Sequence, residues 1–200
     1  MNIVVATKNK FKLKEYKSIL TDYNVISLND CDITEEIPED NDTFKDNALQ
    51  KALFISEKLN KPVIADDSGL SITNLNNFPG IYSARWANPI TDYNIINNKI
   101  ISMLDEKNLH SKNERKAFFT CAIAFVDKSN SIKEVFESTL EGYISNYEVG
   151  ENGFAYDKIF KLFDSNLTLA ELDSSQKNLI SHRRKAIDKL IIYLNNKYKR

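Results

Sequence analysis

Apolar and polar positions along the chain follow two patterns, one typical of buried strands and one of amphipathic helices. The apolar run 3–6 predicts a first strand, and Asn9 then stands where a helix would begin. Thr43 precedes a second amphipathic segment, which Pro62 ends, and an apolar run after Pro62 predicts another buried strand. The segment 21–42 is acidic and predicts irregular structure.

The later part of the chain continues this alternation. Asp92 opens a third amphipathic segment, and residues 117–126 and 132–144 have the length and composition of two strands joined by the turn 127–130. A last helix is expected to begin near Ser181. Because a hairpin of this size follows alternating strands and helices, the pattern predicts an α/β fold with a mixed β-sheet flanked by helices.

Composition narrows the class of protein. With 200 residues and 42% apolar content, we expect a single domain spanning 1–200. The formal net charge is −1, so no global field favours nucleic acid or a membrane, and any phosphate site must be a local cluster. Cys31 and Cys121 lack metal-ligand spacing. The first apolar run is too short and is followed too early by polar residues for a signal peptide, and no 18-residue apolar stretch occurs. Both observations favour a cytoplasmic location.

The segment Ile64-Ala65-Asp66-Asp67-Ser68-Gly69-Leu70 is the strongest candidate for chemistry. It places two carboxylates where a short buried strand is expected to end, and alternation along the strand should point them to opposite sides. One carboxylate would then serve the fold and the other would project outward, where it could hold Mg²⁺ and orient a water. The competing interpretation is a solvated Asp-Asp-Ser-Gly turn.

Two segments before this one could contribute to a phosphate site. Thr7-Lys8-Asn9-Lys10-Phe11-Lys12 lies at the predicted start of the first helix, where backbone N–H groups and the helix dipole favour an anion. Lysines on such a helix are often merely solubilising, but here they oppose the dipole unless an anion binds. Asn47 and Lys51 are one turn apart on the second helix, either as part of the site or as an exposed polar stripe.

Two later segments have the composition of a base-binding pocket. Residues 150–157 combine glycines, aromatic residues and Asp157, which suits stacking a base and bonding its edge, although a packed hairpin corner is an equal alternative. Lys177 and Ser181-His182-Arg183-Arg184 follow. If Ser181 caps the last helix, His182 and Arg183 lie in its first turn, where cations need an acceptor-rich partner.

Together these segments resemble the inosine triphosphate pyrophosphatase family, also called XTP/dITP diphosphatases. The resemblance runs from Ile3 to about Ile191. It rests on these motifs: Ala6-Thr7-x-Asn9-x-x-Lys12, Thr43-Phe44-x-x-Asn47-Ala48, Ile64 to Leu70, Pro79-Gly80-Ile81-Tyr82-Ser83-Ala84-Arg85, Gly153-Phe154-x-Tyr156-Asp157, and Ala170-Glu171-Leu172 followed by Lys177-Asn178 and Ile180-Ser181-His182-Arg183. One such motif would be weak evidence, whereas six in this order make coincidence implausible.

The resemblance implies hydrolysis of dITP, ITP and XTP to the monophosphate and pyrophosphate, with Mg²⁺ as cofactor. It implies a homodimer and an elongated fold of two lobes with an active-site cleft between them. Asp67 matches the acid that activates water and holds the metal, and Glu39 matches a possible second metal ligand. The substrate-binding positions implied are Thr7, Asn9, Lys12, Ser68, Phe154, Tyr156, Asp157, Lys177, His182 and Arg183, and Lys8, Lys10 and Ala155, which lie between them, are further candidates.

Residue chemistry suggests how the base would be selected. Arg183 can only donate hydrogen bonds, so it would pair with a 6-oxo purine and face a second donor on adenine. Ala155 stands where the family places a glycine, which matters only if that position needs a positive φ. Two alternatives remain open at this level: a related pyrophosphatase acting on pyrimidine or methylated nucleotides, and a nucleotide sensor that binds without cleavage.

Overall fold

The computed structural model describes residues 1–198 of the chain. Its strands are β1 Asn2–Val5, β2 Asn24–Ser27, β3 Val63–Ile72, β4 Phe78–Pro79, β5 Lys116–Asp127, β6 Ile132–Ile144 and β7 Phe160–Lys161. Its helices are α1 Lys10–Ile19, α2 Phe44–Leu59, α3 Tyr93–Glu106, α4 Ser174–Ile180 and α5 His182–Tyr198.

The strands form one mixed sheet in the order β2-β1-β3-β5-β6-β7, with β4 paired to β3. Strand β1 runs parallel to both β2 and β3, whereas β3 pairs antiparallel with β4 and β6 pairs antiparallel with β7. This confirms the predicted α/β class with a mixed sheet flanked by helices. The prediction of irregular structure throughout 21–42 is wrong, because β2 lies inside that segment and is paired along its length with β1.

Helix starts follow the local signals in the sequence. The side chain of Asn9 accepts hydrogen bonds from the backbone N–H groups of Phe11 and Lys12 at the start of α1. Thr43 accepts from the N–H of Asp46 at the start of α2, and Asp92 caps α3 in the same way. These bonds satisfy donors that the first helical turn leaves unpaired, which explains why each helix begins at these residues.

The described chain divides into two compact units. The first comprises Met1–Ser68, Cys121–Ser138 and the C-terminal segment from His182, and the second comprises Gly69–Thr120 and Thr139–Ser181. The expectations of a single domain over 1–200 and of a cleft between two lobes stay predictions.

The first unit buries the sheet on both faces. Ile64 of β3 packs in a cluster with apolar residues of α1 and α5, whereas its neighbours Val63 and Ala65 pack in a second cluster with residues of α2. Because side chains alternate along a strand, the two sides of β3 meet different helices. A strand buried on both faces is uniformly apolar, which is how β1 and the start of β3 appear in the sequence.

The second unit has a core of its own. It is formed by α3, by residues of β3, β5 and β6 that belong to this unit, and by the segment around Tyr156 and Phe160. Phe119 and Phe160 pack with their ring centroids 4.6 Å apart, and Tyr93 of α3 meets Tyr156 edge to face at 5.3 Å. This core fixes the position of the loop that contains Phe154, Ala155 and Asp157.

Candidate active site

The carboxylates Asp66 and Asp67 lie inside β3, not at its end. The strand continues through Ser68 and Gly69 to Ile72, so the prediction of a strand ending before the pair is wrong, and so is the alternative of a solvated turn. The two residues are only 2% and 6% exposed. Carboxylates are buried to this extent only when partners compensate the loss of water, so the surrounding groups must account for both charges.

Asp66 lies on the face of β3 that meets α1 and α5. Its Oδ2 is 2.8 Å from Nζ of Lys12, accepts a hydrogen bond of 3.0 Å from the hydroxyl of Ser68, and is 3.6 Å from Nε of Arg183. Burial alone would raise the pKa of Asp66, but the charges of Lys12 and Arg183 outweigh it and hold that pKa well below its usual range. Asp66 is therefore ionised at neutral pH inside the first unit.

Arg183 completes this face from the first turn of α5. It is buried, donates from Nη2 to the Ser68 hydroxyl at 3.1 Å, and donates from Nη1 to Glu15 of α1. Burial would lower the pKa of Arg183, but Asp66 and Glu15 raise it above its ordinary value. The acceptor-rich partner expected opposite the start of the last helix is thus supplied by carboxylates of the protein itself.

Asp67 lies on the opposite face of β3, toward α2. Its Oδ2 accepts a 3.0 Å hydrogen bond from Nδ2 of Asn47, and its Oδ1 accepts one of 3.0 Å from the N–H of Ser68. Burial raises the pKa of Asp67; Lys51 opposes this shift and Glu39 adds to it. A carboxylate whose pKa is raised is a better proton acceptor than an ordinary one, as a general base requires. The predicted division of the pair between two sides is confirmed.

The sequence offered Lys51 either as part of the site or as part of an exposed polar stripe, and the structure buries it beside Glu39. It lies one turn after Asn47 on α2, is 6% exposed, and its Nζ is 2.5 Å from Oε1 of Glu39. Asn47 itself is fully buried, and its Oδ1 accepts a hydrogen bond from the N–H of Asn41. The polar stripe on α2 is therefore not an exposed surface. In the sequence, the spacing of Asn47 and Lys51 indicates only that they share one face of α2. Their burial in the structure shows that this face is part of the protein interior.

The carboxylates on the Asp67 side suit Mg²⁺, whereas they are too few for a metal ion whose ligands all come from protein side chains. Asp67 and Glu39 are close enough to influence each other's charge, and both interact with Lys51. Among residues 1–198 no group of three or more His, Cys, Asp or Glu side chains could hold a metal ion. Mg²⁺ usually takes one or two carboxylates and completes its shell with water and substrate phosphates, so two carboxylates fit this ion.

The predicted phosphate segment lies at the start of α1 in the same unit. Thr7 Oγ1 accepts from the N–H of Asn9, and Lys8 donates to the carbonyls of Thr34 and Glu35 at 3.0 and 2.8 Å. Lys10 is exposed. The first unit therefore contains ten of the predicted site residues: Thr7, Lys8, Asn9, Lys10, Lys12, Glu39, Asp67, Ser68, His182 and Arg183.

The other predicted site residues form a group in the second unit. Asp157 Oδ2 accepts from Nζ of Lys177 at 2.6 Å and from the N–H of Phe154 at 2.7 Å, and the Lys177 ammonium lies 4.8 Å from the centre of the Phe154 ring. Ala155 has a φ of 57°. Tyr156 is buried, donates to the carbonyl of Ser83 and accepts from the indole of Trp86. The assignment of this group to a base and triphosphate pocket stays a prediction.

Comparison of the chain with known proteins shows which family it belongs to. The model of the Ham1 family matches residues 3–193. The chain belongs to the Ham1 family. It is 46% identical over 189 residues to a dITP/XTP pyrophosphatase of Bacillus subtilis, a match covering 94% of this chain and 93% of that relative.

Solved Ham1 proteins have the same fold. The Staphylococcus aureus Ham1 protein matches with a TM-score of 0.88 and 37% identity, covering 98% of this chain and all of that one (100%). A HAM1 protein from Coxiella burnetii matches with a TM-score of 0.89 and 34% identity, covering 98% and 99% of the two chains. The resemblance stated from the motifs is confirmed. Within residues 1–198, no helix of this Ham1 protein is both long and apolar enough to cross a membrane.

Proposed function

We propose that this chain hydrolyses deaminated purine nucleoside triphosphates, such as dITP, ITP and XTP, to the monophosphate and pyrophosphate. The observation that carries the proposal is the buried pair Asp66–Asp67, which has cationic partners on both faces of β3. Membership of the Ham1 family and the names of its pyrophosphatase relatives support the same activity. Such an enzyme removes these nucleotides from the pool used for DNA and RNA.

Asp67 is the residue proposed to act on water. Asn47 and the N–H of Ser68 fix the orientation of its carboxylate, and burial raises its pKa toward the range useful for accepting a proton. Asp67 and Glu39 would hold Mg²⁺, which when bound neutralises charge on the phosphate oxygens and links the substrate to the protein. Lys51, buried between these acidic groups, keeps their mutual repulsion from disrupting the site.

The cations near α1 are proposed to bind the phosphates. A triphosphate carries several negative charges, and its pyrophosphate product must be stabilised as the bond to it breaks. Lys8, Lys10 and Lys12 lie at the start of α1, and Lys12 is already directed at Asp66. Thr7, Asn9, Ser68 and His182 are proposed to contribute polar contacts, and Arg183 to select a 6-oxo base. The support for these roles is the motif that each residue belongs to.

The first experiment measures products from a panel of nucleotides by chromatography, with and without Mg²⁺. We expect monophosphate and pyrophosphate from dITP and XTP, and adenine nucleotides disfavoured by roughly 10⁴-fold, because a stranded buried donor is costly. Equal rates for dITP, dUTP and 5-methyl-UTP would contradict the proposed base selection. Release of inorganic phosphate with a diphosphate product would contradict the proposed reaction.

The variant Asp67→Asn tests the assigned base. It keeps the shape of the side chain but removes its charge, so we expect kcat for dITP to fall about 10²- to 10⁴-fold. Asp188→Asn is the matched control, since Asp188 pairs with Arg184 one turn earlier on the partly exposed side of α5. Unchanged pyrophosphate release by Asp67→Asn would show that catalysis does not use this acid.

We further propose a cytoplasmic homodimer. The motif resemblance supports the dimer, and a nucleotide-pool substrate supports the location. Sedimentation of the purified protein gives the oligomeric state directly, and a monomer at micromolar concentration would contradict it.

A further inference from the structure

Among the buried polar atoms of the first unit, three that belong to α1, β3 and α5 have no hydrogen-bond partner among the described residues. They are Oη of Tyr16 on α1, Oδ1 of Asp66 on β3 and Nε of Arg183 on α5. The residues that carry them are 0%, 2% and 3% exposed. Buried polar atoms are almost always bonded to protein or to ordered water, so three such atoms need an explanation.

The packing of the first unit brings the three residues to one place. Tyr16 belongs to the same apolar cluster as Ile64 and Ala186. Ile64 is two residues before Asp66 and so lies on the same face of β3, and Ala186 is one turn after Arg183 on α5. Arg183 Nε is 3.6 Å from Asp66 Oδ2, which is beyond hydrogen-bond distance.

The electrostatic environment agrees with this proximity. Burial raises the pKa of the Tyr16 phenol well above its ordinary value, and the charge of Asp66 raises it further. Burial also raises the pKa of the neighbouring Cys121 thiol to about 12, with Asp66 adding to the shift. The Tyr16 hydroxyl is therefore neutral, and it keeps a proton to donate.

We infer that the three atoms enclose a binding site for one internal water, and that Tyr16 is thereby a positioning residue for Asp66. The water would accept from the Tyr16 hydroxyl and from Nε–H of Arg183, and donate to Oδ1 of Asp66. Three hydrogen bonds are typical of a buried water. Tyr16 would then hold the oxygen of Asp66 that Lys12 and Ser68 do not contact.

The consequence for catalysis rests on the proposed function. Asp66 directly precedes Asp67 on β3. Because the partners of Asp66 hold it on one face of the strand, they also fix the backbone that orients Asp67 on the other face. A loss of this restraint should reduce kcat more than it changes KM, because the cations that bind the phosphates stay in place. The water site itself does not depend on any substrate.

The test compares Tyr16→Phe with Tyr198→Phe. Tyr198 also donates its hydroxyl to a buried carboxylate of the first unit, Asp127, but does not contact the site. We expect both variants to lower Tm by about 2–4 °C, as the loss of one buried hydrogen bond predicts. Only Tyr16→Phe should lower kcat for dITP, by about 10-fold with KM within about 2-fold, while Tyr198→Phe keeps the wild-type kcat.

Each contrary result would overturn a different part of the inference. A Tm that rises or stays unchanged in Tyr16→Phe would show an unbonded hydroxyl and overturn the water site. A lowered Tm with unchanged kcat would overturn the positioning role. A high-resolution crystal structure should show the water in the wild type and its loss in Tyr16→Phe, and an empty wild-type site would refute the inference. If the wild type does not hydrolyse dITP, the proposed function fails, yet Tm and the crystal structure still decide the water site.

Discussion

The first unit holds the buried carboxylates Asp66 and Asp67 with cations from three helices, whereas the second unit holds Asp157 with Lys177 and with a bond inside its own loop. Lys12, Lys51 and Arg183 approach Asp66 and Asp67 from α1, α2 and α5. Asp157 accepts instead from Lys177 and from the backbone N–H of Phe154, three residues earlier. One arrangement depends on distant side chains and the other on local backbone geometry.

This difference shows where each unit is vulnerable. A buried ion pair that loses one partner leaves an uncompensated charge, and the cost is large because no water can approach. The loop of the second unit also bonds to itself, so its backbone must adopt the conformation that these contacts require. Changes of charge should therefore dominate in the first unit, whereas in the second unit changes of backbone freedom should matter as well.

Among the partners of the two buried carboxylates, the largest effect is expected for Lys51→Met. This change keeps the length of the side chain and removes the cation between Glu39 and Asp67, so the acidic groups repel each other and the site loses its organisation. We expect kcat for dITP to fall about 10²- to 10³-fold, as for other preorganised electrostatic groups. Lys58→Met is the matched control, since Lys58 is also on α2 but pairs with Glu35 at the surface. Equal losses in both variants would contradict the role of Lys51.

A smaller effect, on stability, is expected for Asp66→Asn. The change removes the carboxylate that Lys12 contacts and leaves Arg183 with Glu15 alone, so the free energy of unfolding should fall by about 3 kcal/mol. Because the folded pKa of Asp66 is below its unfolded value, this group stabilises the protein above about pH 4 and the contribution disappears as the pH falls toward the folded pKa.

Urea unfolding of the metal-free protein at several pH values measures this effect. Asp66→Asn should show a shallower loss of stability on acidification than the wild type. The surface variant Asp188→Asn should change stability by less than about 1 kcal/mol and keep the wild-type pH profile. Identical acid profiles for Asp66→Asn and wild type would show that the ion pairs on this face do not stabilise the fold.

Local signals explain which parts of the fold the sequence could predict. The capping residues Asn9, Thr43 and Asp92 act within one helical turn, so their helices begin as predicted. The alternation of Asp66 and Asp67 is likewise a property of any strand. The motif resemblance supplied the family and the candidate residues, which spacing alone left open.

Long-range partners explain what could not be predicted. Strand β2 is paired with β1 along its length, and its own signal is only the two β-branched residues Val25 and Ile26, which is too short to predict a strand. An Asp-Asp-Ser-Gly sequence is typical of a turn unless Lys12, Lys51 and Arg183 are known to meet it, so the strand appeared to end too early. The burial of Lys51 depends on the same packing. For Ala155, the sequence indicated that the residue would matter if its φ were positive, but it could not predict the sign of φ.

The smallest effect is expected for Ala155→Gly in the second unit. Ala155 has a φ of 57°, a left-handed conformation that costs a residue with a Cβ about 1–2 kcal/mol. The contacts around it enforce that conformation: Asn97 of α3 donates to its carbonyl at 3.2 Å, and Phe154 and Asp157 are bonded across it. Glycine removes the steric cost but gains freedom in the unfolded chain, so a net stabilisation of about 0.5–1 kcal/mol should remain.

Thermal unfolding of Ala155→Gly should therefore give a Tm higher than that of the wild type by about 1–4 °C. Ala84→Gly is the control from the same unit, because Ala84 is exposed and is not among the residues with positive φ, and there glycine should lower Tm. A lower Tm in both variants would mean that the loop tolerates the left-handed alanine without strain. The second unit would then not differ from the first in storing strain in its backbone, and only the contrast in charge would remain.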